Sequence, residues 1–327
     1  MDPQPTPTPT PEIGRWIEFE TINLSTRYRT ITTNNGNSTH QNQYQVAIRG
    51  RFKFDRKGRY SVNGGLFSGN NITGGWNSTG WGAGDLQSNL YVKQLYFSAK
   101  PITGVEIQYG GIGVNNGVNT ETTGYDNDLY LTGERVAVRR PKDLYFDEIS
   151  VTYAYLGDLA RPSVFRRFKN LDKSNYHQFL VRKQLSSRVS VSADYTFEMG
   201  RDFLREAIKV KIPETRIVDT ALFETYQRVS PDTGVGFNIF GEKAVSKRLS
   251  VNGGFARIDA PMFNADRFPP GKRLYLGGNY KLNREFTLNS IVIQGLGRVP
   301  SGQTPRRRIE VILTYSFLET LRRLKLL

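Results

Sequence analysis

The 327 residues contain no cysteine, which excludes disulfide staples, thiolate metal sites and a cysteine nucleophile together. Long apolar runs are also missing. No stretch approaches the roughly 20 residues a membrane helix needs, and the mean hydropathy is −0.48 with 23% charged residues, so a helical membrane protein is excluded. Histidine is scarce: His40 and His177 lie far apart and form no ligand pair, so no metal site is expected from them. No nucleotide, flavin or other cofactor motif is recognisable. Met1 to Pro11 reads MDPQPTPTPTP, which cannot pack a core. We read residues 1–14 as an extended lead-in, consistent with a chain whose signal peptide has been removed.

What is present favours strands and turns. The chain carries 17 Tyr, 19 Phe and 32 Gly against three Met, a mixture that suits an all-β fold. Its net charge of +15, from 45 basic and 30 acidic side chains, points to a negatively charged partner such as nucleic acid, anionic lipid headgroups or anionic solutes. The organising signal is a period of two. From Gln43 to Phe54, the residues Gln43, Gln45, Ala47, Arg49, Arg51 and Lys53 alternate with Tyr44, Val46, Ile48, Gly50, Phe52 and Phe54. One face is polar and cationic, the other apolar. The same split runs from Arg188 to Met199, from Glu148 to Tyr155 and from Arg308 to Phe317. Such strands, about 8 to 12 residues long, cross a bilayer at a tilt.

A soluble sandwich alternates too, so the turns discriminate. Short connections are expected at Asp55–Gly58, Pro101–Gly104, Pro141–Asp143, Leu185–Ser187, Pro213–Thr215, Val245–Lys247 and Asn283–Glu285. The intervening ones, among them Ser68–Asp85, Gly110–Asp128, Asp158–Ser174 and Asp259–Gly271, are mostly long. After several short turns the chain restarts in similar words: Arg59-Tyr60-Ser61-Val62, Arg188-Val189-Ser190-Val191 and Arg248-Leu249-Ser250-Val251. Counting from Arg15 gives a transmembrane, antiparallel up-and-down β-barrel of about 16 strands, within a range of 14 to 18. Alternation blurs between Phe203 and Arg228.

Residues 15–317 resemble a bacterial outer-membrane porin-type barrel in their alternating strands, their unequal loops and the closing strand Leu313-Thr314-Tyr315-Ser316-Phe317. That strand is similar to the aromatic-ended terminal strand of such barrels, but residues 318–327 follow it as a tail. The resemblance implies a passive outer-membrane diffusion channel for small hydrophilic solutes, and the charge adds a preference for anions. A non-conducting barrel for anchoring, adhesion or assembly is the alternative. A soluble β protein on an anionic polymer is the remaining class. Outer-membrane lipid and small hydrophilic or anionic solutes are the expected partners, nucleic acid is not, and a homo-oligomer stays open.

Arg49, Arg51 and Lys53 are the sharpest functional candidates, because cations on the lumen face of one strand concentrate anions. Glu121, Asp126 and Asp128 lie in the third long loop. In general porins that loop folds inward, which would set these carboxylates against the basic row. Arg306, Arg307 and Arg308 read as part of an external loop before the last strand. Residues 318–327 read as a short amphipathic tail or a frayed end. No activated nucleophile or carboxylate pair is visible, and the chain is read as a non-enzyme. His177, with Ser174 as its nearest serine, reads as a strand-end histidine.

Overall fold

A computed structural model describes residues 16–33, 35–125, 127–139, 144–212, 217–230, 233–258, 271–297 and 305–327. The expected turns at Pro141–Asp143 and Pro213–Thr215, most of the loop at 259–271, residue Asp126 and the lead-in before Trp16 fall outside them.

The chain runs through β1 (Ile17–Thr33), β2 (Ser38–Lys53), β3 (Tyr60–Ser68), β4 (Asn77–Gly82), β5 (Leu90–Ala99), β6 (Val105–Gly113), β7 (Tyr130–Val138) and β8 (Glu148–Tyr155). It continues through β9 (Tyr176–Gln184), β10 (Val189–Glu198), β11 (Arg201–Lys211), β12 (Thr220–Ser230) and β13 (Gly234–Ala244). β14 (Leu249–Ile258), β15 (Gly271–Lys281), β16 (Phe286–Leu296) and β17 (Pro305–Ser316) complete the wall. Every pairing is antiparallel, and β17 pairs with β1 to close the ring. The 17 strand segments make a 16-strand barrel. The difference arises because β3 pairs with the lower part of β2, from Ala47 to Lys53, while β4 pairs with its upper part, from Gln41 to Tyr44. The two share one lane, broken by an excursion at 69–76.

The short turns explain the repeated words. Ser186 Oγ accepts from the backbone N–H of Arg188 and Val189 at 3.2 and 3.1 Å. Ser246 does the same for Arg248 and Leu249 at 3.1 and 3.0 Å, and Asn283 Oδ1 for Glu285 and Phe286 at 2.9 and 2.7 Å. A Ser or Asn that bonds its own backbone two and three residues on mimics a turn. At the opposite end Met199 and Gly200 both take positive φ, 48° and 85°, the two-residue hairpin that needs left-handed backbone. The strand before it therefore ends at Glu198, and Met199 leaves the alternating face.

Alternation sorts the two faces. Leu276, Ile239 and Val151 point outward and are 64%, 52% and 51% exposed, whereas Asp194, Arg205 and Glu224 are buried inside the ring. Exposing a Leu or Ile to water forfeits roughly 1.5–3 kcal/mol. A belt of such residues around the whole wall is stable only against an apolar medium. Aromatic rings mark both rims: Phe54, Tyr60 and Phe97 touch at the short-turn end, with Phe286, Tyr315 and Phe317 beside them in the ring. Tyr153, His177 and Phe197 stack at the long-loop end.

One strand boundary near the end of the chain needs correction, and one of the two readings of the tail falls away. Phe317 is the first residue of a helix, α1 (Phe317–Arg323), and the strand ends at Ser316. The tail is not frayed, because Leu318 is buried and Arg323 Nε lies 2.7 Å from Glu285 Oε1. Among the described residues no helix is long and apolar enough to cross a membrane.

Candidate pore constriction

The third long loop leaves β6 after Gly113 and returns to β7 at Tyr130, and between them it turns into the barrel. Its residues Asn-Asn-Gly-Val-Asn-Thr are small and polar, so almost every backbone group needs a partner there. The wall supplies them in strand order. Asn115 Nδ2 donates to Glu148 on β8 at 3.1 Å, and its carbonyl accepts from Gln178 on β9 at 2.8 Å. The Val118 N–H donates to Ser192 Oγ on β10 at 2.8 Å. The Thr120 N–H and hydroxyl both donate to Glu224 on β12, each at 2.5 Å, and Asn238 on β13 donates to the same carboxylate at 2.6 Å. Thr123's carbonyl accepts from Arg205 Nε on β11 at 3.1 Å. Arg205 is held in turn by Asp194 at 3.2 Å and lies over the Tyr125 ring at 4.1 Å. Burial pushes the Tyr125 phenol well above its ordinary range. A loop tied to five successive strands, β8 to β12, with charge-assisted bonds to Glu148, Arg205 and Glu224, is a rigid shelf along one side of the lumen.

The predicted cations sit on the inward face of β2, opposite Phe52 and Phe54. Arg51 donates to Glu18 Oε2 from Nε at 3.1 Å and from Nη2 at 2.8 Å, and Lys53 Nζ lies 2.6 Å from the same oxygen. Arg49 donates to Tyr130 Oη at 2.9 Å and lies 3.8 Å from Asp128 Oδ1. Of the three loop carboxylates expected to face this row, Asp128 meets it. Glu121 accepts from the Asn127 backbone at 3.2 Å, and Asp126 lies outside the described residues. Partial burial raises the Asp128 carboxyl above the ordinary aspartate range, against the pull of Arg49 and Lys93. Glu18 escaped the sequence reading. Its signal was weak, since a bulge after Phe19 shifts the register that sets it opposite Arg51.

A second cationic cluster lies at the seam between β1 and β17. Arg27, Arg29 and Arg308 reach one oxygen of the buried Glu310 at 3.4, 3.4 and 2.6 Å. Arg27 also donates to Gln43 Oε1 at 3.0 Å from Nε and stacks on Trp76 at 4.1 Å. The expectation that Arg306 to Arg308 belong to an external loop is corrected here. β17 begins at Pro305, and Arg308 faces inward because its pairing with Ile31 extends the seam and Glu310 compensates its charge. The alternation Arg27-x-Arg29 and Arg308-x-Glu310 was visible; that these segments pair was not.

On the outer wall, Ser174 Oγ and His177 Nε2 are 2.6 Å apart. Among the described residues no carboxylate orients the ring, which instead stacks between Tyr153 and Phe197.

No family model and no curated protein matches the chain. Solved structures do. A mutant of the Rh. blastica porin aligns at a TM-score of 0.56 with 12% identity, covering 92% of this chain and 100% of that one. The Salmonella typhi OmpF complex with daunomycin aligns at 0.59 with 12% identity, covering 93% and 98%. A chain from work on asymmetric conductivity of engineered proteins aligns at 0.56. The fold is that of the porin-type barrels.

Proposed function

We propose that the chain is a passive diffusion channel for small hydrophilic solutes in a bacterial outer membrane, with a preference for anions. The observation that carries this reading is a closed wall, apolar outside and charged inside, with a loop pinned along one side of its lumen. A water-soluble protein has no use for the outer belt, and a 16-strand ring is wide enough for an aqueous interior. In this reading the short turns face the periplasm and the long loops face outward. Solutes are sorted by the width left between the pinned loop and the wall of β1, β2 and β17, and by the field across that gap.

The field favours anions on a simple count. In the ion-paired clusters of β1, β2 and β17, six cations, Arg27, Arg29, Arg49, Arg51, Lys53 and Arg308, meet three carboxylates, Glu18, Asp128 and Glu310. The likeness to porins supports passage of small solutes without identifying them.

One observation favours the non-conducting alternative. Ile72, Leu129, Leu131 and Leu156 form part of an apolar cluster in the ring's long-loop half, so the loops fill some of the lumen there. Planar-bilayer recording and liposome swelling with neutral sugars separate the two. The channel reading expects steady conductance and swelling. Neither, from demonstrably folded protein, would replace it with the anchoring barrel.

A further inference from the structure

The lumen does not absorb every unusual feature of the wall. At the long-loop end, where β17, β1 and β2 meet, the outward face turns from apolar to polar and cationic. Strand parity sets Leu313, Val311 and Arg307 beside Thr26, Tyr28 and Thr32. Tyr28, Val311, Leu313 and Trp81 of β4 line a groove of about 490 Å³. Trp81 is 76% exposed, a poor position for an indole in water and a good one at a membrane interface.

Above the groove stand an imidazole and a guanidinium. His40, paired with Thr30 in the sheet, has Nδ1 at 3.0 Å from both Tyr28 Oη and Thr30 Oγ1. Thr30 donates to the Tyr28 oxygen at 3.2 Å, and with Nδ1 facing both hydroxyls the Nε2 of the ring has no hydrogen bond among the described residues. Arg307 is exposed and takes part in no ion pair among the described residues. The neighbouring acid, Glu310, points inward to Arg308. No Asp or Glu occupies an outward position on β17 from Arg307 to Leu313, on β1 from Leu24 to Thr32, or on β2 from Ser38 to Val46. Arg307 lies four residues beyond Val311, about 13 Å along the strand, and a tilted strand shortens this to about 10 Å of depth, close to one headgroup layer.

We infer that this corner seats one phosphate-bearing lipid of the outer leaflet, with its phosphate on Arg307 and His40 and an acyl chain in the groove beneath Trp81. Charge selects an anion, and the apolar groove selects one that carries a chain. A second copy of the protein fits less well, because a stable interface covers roughly 800 Å² on each partner and the groove is a narrow slot. The site does not depend on whether the lumen conducts.

Native mass spectrometry of the full-length barrel, folded in detergent with equal amounts of phosphatidic acid and phosphatidylcholine, tests it. The expected result is retention of one phosphatidic acid per chain in preference to phosphatidylcholine. Arg307→Gln should reduce that preference roughly fivefold, as loss of one interfacial cation implies. Trp81→Ala, a truncation of an exposed side chain on β4 that leaves its backbone pairing with β2 in place, should weaken retention of the same lipid. Heat-modifiable electrophoretic mobility checks that each variant is folded. Equal retention of the two lipids, or unchanged retention in both variants, would overturn the proposal. So would displacement of the lipid by inorganic phosphate alone, which would make the site one for free anion, or a dimer mass in place of lipid.

Discussion

Arg49 Nη2 lies 3.8 Å from Asp128 Oδ1, and this contact joins the cationic face of β2 to the returning end of the inward loop. Residues 81 apart in sequence thus share a hydrogen-bonded corner, because Arg49 also holds Tyr130 Oη at 2.9 Å. Both side chains are partly open to the lumen, at 37% and 35% exposure. Solvent screening therefore makes the pair worth little as a staple. Its consequence is for the field a solute meets.

That position makes the field sensitive to acid. Asp128 binds its proton more tightly in the folded barrel than in the unfolded chain. Its ionisation therefore costs stability as pH rises from the ordinary aspartate value through the raised one. Acidification into that window should uncover Arg49 and strengthen anion preference before exposed carboxylates titrate. Asp128→Asn should show the stronger preference already at neutral pH and lose this response. Reversal potentials measured against pH check it, and an Asn variant that keeps the full response would contradict the assignment.

The shelf should fail at Arg205. Arg205→Met leaves Asp194 buried without its countercharge, a loss of about 3–5 kcal/mol, and takes the donor from the Thr123 carbonyl. Unfolding by urea should begin at lower concentration, and single-channel currents of the folded fraction should be larger and noisier. Glu224→Gln keeps an acceptor for Thr120 and should have the smaller effect. Quiet, unchanged currents from folded Arg205→Met would mean that the loop is held elsewhere.

Face assignment is testable on one strand. Leu276 points outward from β15, and Asn279, which donates to Asn289 at 2.7 Å, points inward. Leu276→Arg should lower folding stability in vesicles by about 2–4 kcal/mol if it lies near the midplane. Asn279→Arg should change it by only about 0.5 kcal/mol, as expected for a solvated position. Comparable losses in the two variants would reverse the faces.

Much of the wall was legible because its signals are local. Alternation in Gln43–Phe54 reports a half-polar strand whatever its neighbour, and Ser186, Ser246 and Asn283 build their turns from bonds two and three residues away. The lane shared by β3 and β4 was not legible as such, since only pairing with β2 reveals it. The inward turn of the third loop was suggested by resemblance alone; its cause, a series of wall side chains from Glu148 to Glu224, is spread over five strands. Likewise nothing local in the sequence joins Arg27 and Arg29 to Arg308. Glu310 brings them together only when the last strand closes on the first.

A planar bilayer under a salt gradient tests whether the lumen conducts and prefers anions. Purified protein should give steady conductance with a reversal potential on the anion side, and replacing Arg49, Arg51 and Lys53 together by Gln should move that potential toward cations. Folded protein that carries no current would contradict the channel. Current with an unmoved potential in the triple variant would contradict the role assigned to the β2 cations.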